Sequence, residues 1–174
     1  MVHEISTERL LLRPMVSSDV DLLIELDSDG EVMRYITGKP SNPDDVRGEL
    51  VASLGTRWLV FDDSGSFLGW VGAVPSADGD EYDIGWRFRR TSWGNGFATE
   101  AARALVDALF SAGATRVFAQ TMAVNQRSRS VMERVGLRYA RTFHLDFEDP
   151  LPGTELGEVE YELTRQTWGT AEST

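Results

Sequence analysis

The sequence predicts an α+β (α/β) fold built on one mixed central sheet of about seven strands, and three observations point to it. Ala102, Leu105, Val106, Leu109 and Phe110 recur at helical spacing and Gly113 follows them, which marks one long amphipathic helix. Arg57 to Phe61 and Phe67 to Val74 are β-prone apolar runs on either side of the turn-rich Asp62-Asp63-Ser64-Gly65-Ser66, and they read as a hairpin. The long helix itself lies between strand-like runs at Glu81 to Arg89 and Thr115 to Met122. A strand–helix–strand crossover requires a parallel pair inside an otherwise largely antiparallel sheet.

Taken in order, Glu8 to Arg13 contains Leu10-Leu11-Leu12 and reads as the first strand, ended by Pro14, which has no N–H for a ladder. Ser18 with Asp21 resembles a capping box for a helix whose Leu22, Leu23 and Leu26 share a face. Asn42 as N-cap and Pro43 at the first helical position open a second helix, with Val46, Leu50 and Leu54 spaced by four. The hairpin, the strand Glu81 to Arg89 and the long helix, beginning at Thr99, come next. After the strand Thr115 to Met122, a short helix covers Arg127 to Val135, with Val131, Met132 and Val135 inward and Gly136 at its end. Strands around Leu137 to Phe147 and Val159 to Arg165 complete the sheet. The residues after Trp168 are expected to form a disordered tail.

The length, 174 residues, suits one domain with a core of its own. There is no cysteine, so disulfides, a Cys-ligated metal and a thiol nucleophile are excluded. Met1 to Ser6 lacks the basic and apolar regions of a signal peptide and no apolar run reaches membrane-spanning length, so a cytoplasmic protein without a membrane partner is expected. A formal net charge of −11, from 28 acidic and 17 basic side chains, argues against nucleic acid as a partner. Arginines crowd Arg87 to Arg90 and Arg127 to Arg141, on either side of a glycine turn, whereas the acidic clusters lie elsewhere. That distribution suits an anionic cofactor and a cationic substrate.

The turn is Trp93-Gly94-Asn95-Gly96-Phe97-Ala98. The first turn of a helix carries four N–H groups without intrahelical partners at the positive end of its dipole, so an anion is stabilised there. Gly94 and Gly96 remove two β-carbons where backbone would approach a diphosphate, and Ala98 adds only a methyl group. Close packing of helix on strand also selects glycine, and these residues alone leave both readings open.

The element order, with the turn after the fourth strand, resembles the GNAT superfamily of N-acetyltransferases, and within it the RimJ/RimL-like branch. The quoted residues are Thr7-Glu8-Arg9-Leu10-Leu11-Leu12-Arg13-Pro14, Asp83-Ile84-Gly85-Trp86, Trp93 to Ala101, Asn125-Gln126-Arg127-Ser128, Val131 to Leu137 and Tyr161-Glu162-Leu163-Thr164-Arg165. Trp93 stands where the superfamily pattern usually has Gln or Arg. The match covers nearly the whole chain, so it implies a single domain over residues 1–168, helices on both sheet faces, and acetyl-CoA as co-substrate with no metal. A homodimer is common in the branch.

The resemblance further implies that the pantetheine arm lies between the strands Glu81 to Arg89 and Thr115 to Met122. Main-chain contacts would come from Trp86 to Arg89, with the N–H of Phe88 polarising the thioester carbonyl. Trp93, Gly94, Asn95, Gly96, Phe97, Ala98 and Thr99 would hold the diphosphate. An oriented N–H at a developing oxyanion is a main source of acyl-transfer catalysis, so no nucleophilic side chain is required. The sequence agrees, having neither a cysteine nor a Gly-x-Ser-x-Gly elbow.

Amine attack needs a base. Asp83 is the first candidate and Glu81 shares its face, although each also suits a solvated strand position. His144 reads as a strand residue and His3 as part of a frayed terminus. Met132 occupies the position where many superfamily members place a proton-donating Tyr; the branch points instead to Ser128, which equally suits a helix cap. Asn125 either binds the pantetheine amide or caps the helix. Arg89, Arg90, Arg127 and Arg129 are candidate partners for the CoA 3′-phosphate.

The function expected is acetyl transfer to a primary amine in a ternary complex. An acyl-CoA-binding module without turnover is the alternative, and dinucleotide binding fits poorly because no glycine follows at the third fingerprint position. The acceptor, a peptide N-terminus, polyamine or aminoglycoside, depends on loops such as Thr37 to Pro43 and Glu148 to Glu158, which carry no readable code.

Overall fold

In the computed structural model, which describes residues 3–171, strands β1 (Ile5–Ser6), β2 (Leu10–Pro14), β3 (Arg57–Asp62), β4 (Phe67–Pro75), β5 (Glu81–Phe88), β6 (Arg116–Met122), β7 (Arg138–Phe143) and β8 (Glu158–Thr164) form one sheet. Their order is β1-β2-β3-β4-β5-β6-β8-β7, and only β5 and β6 run parallel. Among the described residues there are eight strands, where about seven were expected. The additional one is a two-residue edge, too short to leave a period in the sequence.

Helices α3 (Phe97–Ser111) and α4 (Gln126–Val135) cover one face, and α1 (Val20–Asp27) and α2 (Pro43–Ser53) cover the other. All five periodic positions of α3, Ala102 to Phe110, are buried against β2, β4, β5 and β6, each large one contributing roughly 1.5–3 kcal/mol. Asn42 caps α2 by accepting the Asp44 N–H at 2.9 Å. In the hairpin turn, Asp62 Oδ1 accepts the N–H groups of Ser64 and Ser66, both at 2.9 Å. The face of β6 and β8 turned away from α3 carries an ion network instead of a helix. There Arg116 bonds Glu81, Glu160 and Glu162 at 3.0, 2.8 and 2.7 Å.

Several boundaries differ from expectation. The first strand starts at Leu10, because Thr7 N–H turns back to the Leu10 carbonyl, and Pro14 is its last residue, opposite Trp58. The capping box at Ser18 and Asp21 does not form. A single 3-10 turn, Ser17–Asp19, precedes α1, and Asp19 accepts the Val16 N–H at 2.8 Å while pairing with Arg13. Leu54 is exposed, since α2 stops at Ser53 and the chain turns extended. The strand expected to reach Phe147 ends at Phe143, and residues 144–153 are irregular. A further helix, α5 (Arg165–Ala171), stacks Trp168 on Phe110 at 5.2 Å between ring centroids. It takes in the first residues of the expected tail; residues 172–174 lie outside the described residues.

Candidate functional site

Strands β5 and β6 pair only at Glu81↔Arg116, Tyr82↔Val117 and Asp83↔Phe118, whereas β5 stays paired with β4 as far as Phe88. Beyond Asp83 the two parallel strands part. The gap is a cleft of about 700 Å³ that passes through the sheet. On the α3 side it is lined by Trp86, Phe88, Trp93, Ala98 and Met132; on the α1 side, by Tyr35, Trp70 and Arg87.

The register shows which backbone groups face the gap. Arg89 N–H donates to Leu68 O and the Glu81 carbonyl accepts from Ser76 N–H, both at 2.8 Å, so odd-numbered residues of β5 point their amides at β4. The N–H groups of Trp86 and Phe88 therefore point into the cleft. The Phe88 carbonyl is already taken, by Trp93 Nε1 at 2.9 Å. Two preformed donors in a concave, largely apolar slot suit an acyl thioester and its amide-bearing arm.

At the end of β5 the chain makes the glycine turn. Gly94 and Gly96 sit at φ 78° and 79°, a region L side chains rarely adopt. A β-carbon at Gly94 would meet nothing within 4 Å, and at Gly96 only Arg9 Nη2, so close protein packing is not what these glycines serve. Helix α3 starts at Phe97 without a side-chain cap, and the first N–H with an intrahelical partner is that of Glu100, to Gly96 O. The amides of Phe97, Ala98 and Thr99 are thus presented at the dipole's positive end, as anion binding requires. Asn95 folds the turn: its side-chain amide donates to the carbonyls of Ser92 and Trp93.

Sequence reasoning missed what holds the turn. Arg9 donates to Asn95 O at 3.0 Å and to Glu100 Oε2 at 2.7 Å, and stacks on Phe97 at 4.7 Å, while Thr7 donates to Glu100 Oε1 at 2.6 Å. Burial works against the Glu100 charge, but Thr7 and Arg9 outweigh it and hold this carboxyl below its ordinary range. The contacts span some ninety residues, so no local pattern announces them.

On α4, Asn125 is the cap. Its Oδ1 accepts the Ser128 N–H at 3.2 Å and its Nδ2 donates to Thr121 Oγ1 at 3.0 Å. Ser128 is therefore not needed as a cap, and it lines the cleft. Of the four candidate phosphate partners, Arg89 pairs with Glu25 at 2.8 Å, Arg90 with Asp29 at 3.4 Å, and Arg129 donates to Ala123 O and Tyr161 OH. Arg127 lines the cleft and stacks over Trp93 at 3.7 Å with no ion pair among the described residues. The backbone N–H of Arg89 is in the β4 ladder, bonded to Leu68 O, and its side chain is paired with Glu25.

The structure does not bring Asp83 or Glu81 into the cleft, because both precede the point where β5 and β6 part. Glu81 is held by Arg116. Asp83 has its carboxyl pushed up to about 6, first by desolvation against the sheet and then by the Glu160 charge. Glu160 itself stays low: burial opposes its charge, and Arg141, Gln120 and Arg116 more than offset that. Because Asp83 as a residue remains exposed, solvent relaxes part of its desolvation. The cleft has another carboxylate, Glu158, at the start of β8 opposite Met122. Its carboxylate has no hydrogen-bond or ion-pair partner among the described residues, and burial raises its pKa. No motif singled it out; only the register of β8 against β6 places it there.

A family model described as acetyltransferase (GNAT) domain matches residues 9–138. The chain is similar to the FsC-acetyl coenzyme A-N(2)-transacetylase of Aspergillus fumigatus, 34% identical over 93% of this chain and 76% of the relative. A GNAT-family acetyltransferase from Bacillus anthracis has a similar structure, with TM-score 0.79, 26% identity and coverage of 94% of this chain and 99% of the other. RimL, a ribosomal L7/L12 alpha-N-protein acetyltransferase solved in complex with coenzyme A, shares the fold, with TM-score 0.81 and 17% identity over 95% of this chain and 99% of its own.

Proposed function

The chain belongs to the GNAT acetyltransferases, and from that premise we propose that it moves an acetyl group from acetyl-CoA directly to a primary amine, without a covalent enzyme intermediate. The observation that carries this reading is the parting of β5 and β6. It leaves the Trp86 and Phe88 N–H groups, Ser128 and Glu158 around one slot that ends toward an uncapped helix start.

The diphosphate of the co-substrate would lie on the amides of the glycine turn, and Arg127 is the guanidinium left to meet a further phosphate. The thioester would lie along β5. Glu158 takes a proton from the acceptor ammonium, and the neutral nitrogen attacks the thioester carbon. The developing oxyanion is stabilised by N–H groups of β5, that of Phe88 first among them. When the C–S bond breaks, Ser128 relays a proton to the thiolate and regains one from solvent, which takes up the second amine proton. Asp83, outside the cleft, is a less direct base than Glu158.

Within the family we place the chain in the RimJ/RimL-like branch on its run Trp93 to Ala101 together with Asn125 to Ser128. The acceptor is a protein N-terminus or a small cationic amine; the Aspergillus relative's name, which specifies an N(2) nitrogen, supports a nitrogen acceptor. The test is thiol release. With no cysteine in the chain, any free thiol formed from acetyl-CoA and an amine comes from the co-substrate. Release with at least one amine of a broad panel is expected. Acetyl-CoA that stabilises the protein while every amine fails would establish a binding module instead.

A further inference from the structure

The acceptor end of the cleft has an unusual lining for a site facing water. Three of its residues, Ile36, Leu145 and Phe147, are large hydrophobic side chains left 49%, 50% and 48% exposed. They come from two segments far apart in sequence, the loop after α1 and the irregular chain after β7. Soluble proteins rarely gather exposed apolar side chains at one place unless something covers them.

The two segments are held against each other and against the sheet. A β-carbon at Gly38 would run into Leu151 Cδ2, and one at Gly153 would fall 2.7 Å from Val124 Cγ2; the Ala123 N–H donates to Gly157 O at 2.9 Å. The apolar mouth is therefore a built feature and not the free end of a loop. Among the described residues Asp149 and Glu158 line the cleft without an ion pair and Glu31 lies 3.8 Å from Arg34, whereas Arg87 there is bound to Asp27 at 2.6 Å and Arg127, the unpaired cation, stacks over Trp93.

Resting on the acetyl-transfer reading, we propose that the natural acceptor is a small primary amine carrying one bulky apolar group, aryl or branched alkyl, close to its nitrogen. The ammonium is drawn to the carboxylates and delivered to Glu158, and the apolar group covers Ile36, Leu145 and Phe147. A linear polyamine would leave those three side chains wet and would place charged methylene chain against them. Size points the same way: a cleft of about 700 Å³ must also take the donor's arm, which leaves room for one compact group.

The test compares phenethylamine, isoamylamine, ethylamine, spermidine and a glycine-initiated peptide by thiol release, with wild type, Phe147→Asp and Leu145→Asp. Each apolar increment in a fitted pocket is worth about 10-fold or more in kcat/KM, so phenethylamine and isoamylamine should exceed ethylamine by at least about 10-fold. Phe147→Asp should erase most of that margin by raising KM for phenethylamine and isoamylamine. Should spermidine or the peptide be the best substrate, or both Asp variants retain the margin, the proposal falls while acetyl transfer stands. Should no amine release thiol, the acetyl-transfer reading fails and takes this proposal with it.

Discussion

In the proposed reaction Glu158 and Ser128 carry separate proton transfers, and single substitutions should show them separately. Glu158→Gln should lower turnover by about 10²- to 10⁴-fold with acetyl-CoA affinity unchanged, measured by thiol release and calorimetry. In wild type the acid limb of the rate profile should lie above the ordinary carboxylate range, because burial raises this pKa, and the limb should vanish in the variant. Ser128→Ala should reduce turnover by about 10²-fold and leave the melting temperature unaffected, since Asn125 provides the cap. Asp83 makes a different prediction. Its folded-state pKa, about 6, is above that of a free carboxyl, so its ionisation opposes folding as pH rises through the window from about 4 to 6. Asp83→Asn should therefore raise the melting temperature at pH 8 and leave it unaltered near pH 4. Ser128 was singled out by the run Asn125 to Ser128 and Asp83 by its place on the strand, whereas Glu158 looked like one acid among many.

At the scale of elements, the turn and the two helix starts do the positioning. Asn125→Ala removes the α4 cap, a loss of about 1 kcal/mol, or about 2–4 °C in a chain of this size. It should also lower turnover more than stability, because Ser128 and Arg127 sit in the first turn that the cap fixes; thermal melts and thiol release on one preparation would check both. The glycine turn answers the alternative left open at the start. With open space above Gly94 and only the Arg9 guanidinium near Gly96, close helix–strand packing does not account for these glycines, whereas φ near 80° does. The periodic elements were legible because burial of one face writes itself as a 3.6- or 2-residue repeat. The strand β1 and helix α5 were not, being too short or too polar to write one.

For the whole molecule, the site exists because two neighbouring strands stop pairing, and any ligand that bridges them joins the two halves of the sheet. Acetyl-CoA at about 100 times its dissociation constant should stabilise the protein by about 2.7 kcal/mol, which is about 5–10 °C in melting temperature, while NAD should give none of this. Gly96→Val should abolish most of the shift, read in the same melts. The sequence by itself determined the order of elements, the glycine turn and the family, because each is written in local spacing and in side-chain type. Only the tertiary structure decided which residues share the cleft. Pairing between β5 and β6 ends after Asp83, so that Asp83 lies outside while Trp86 and Phe88 present their amides. Likewise, Ile36 shares the cleft with Phe147 and Glu158, more than a hundred residues further along the chain. Such meetings depend on strand register and loop packing, and no local period of the chain encodes them.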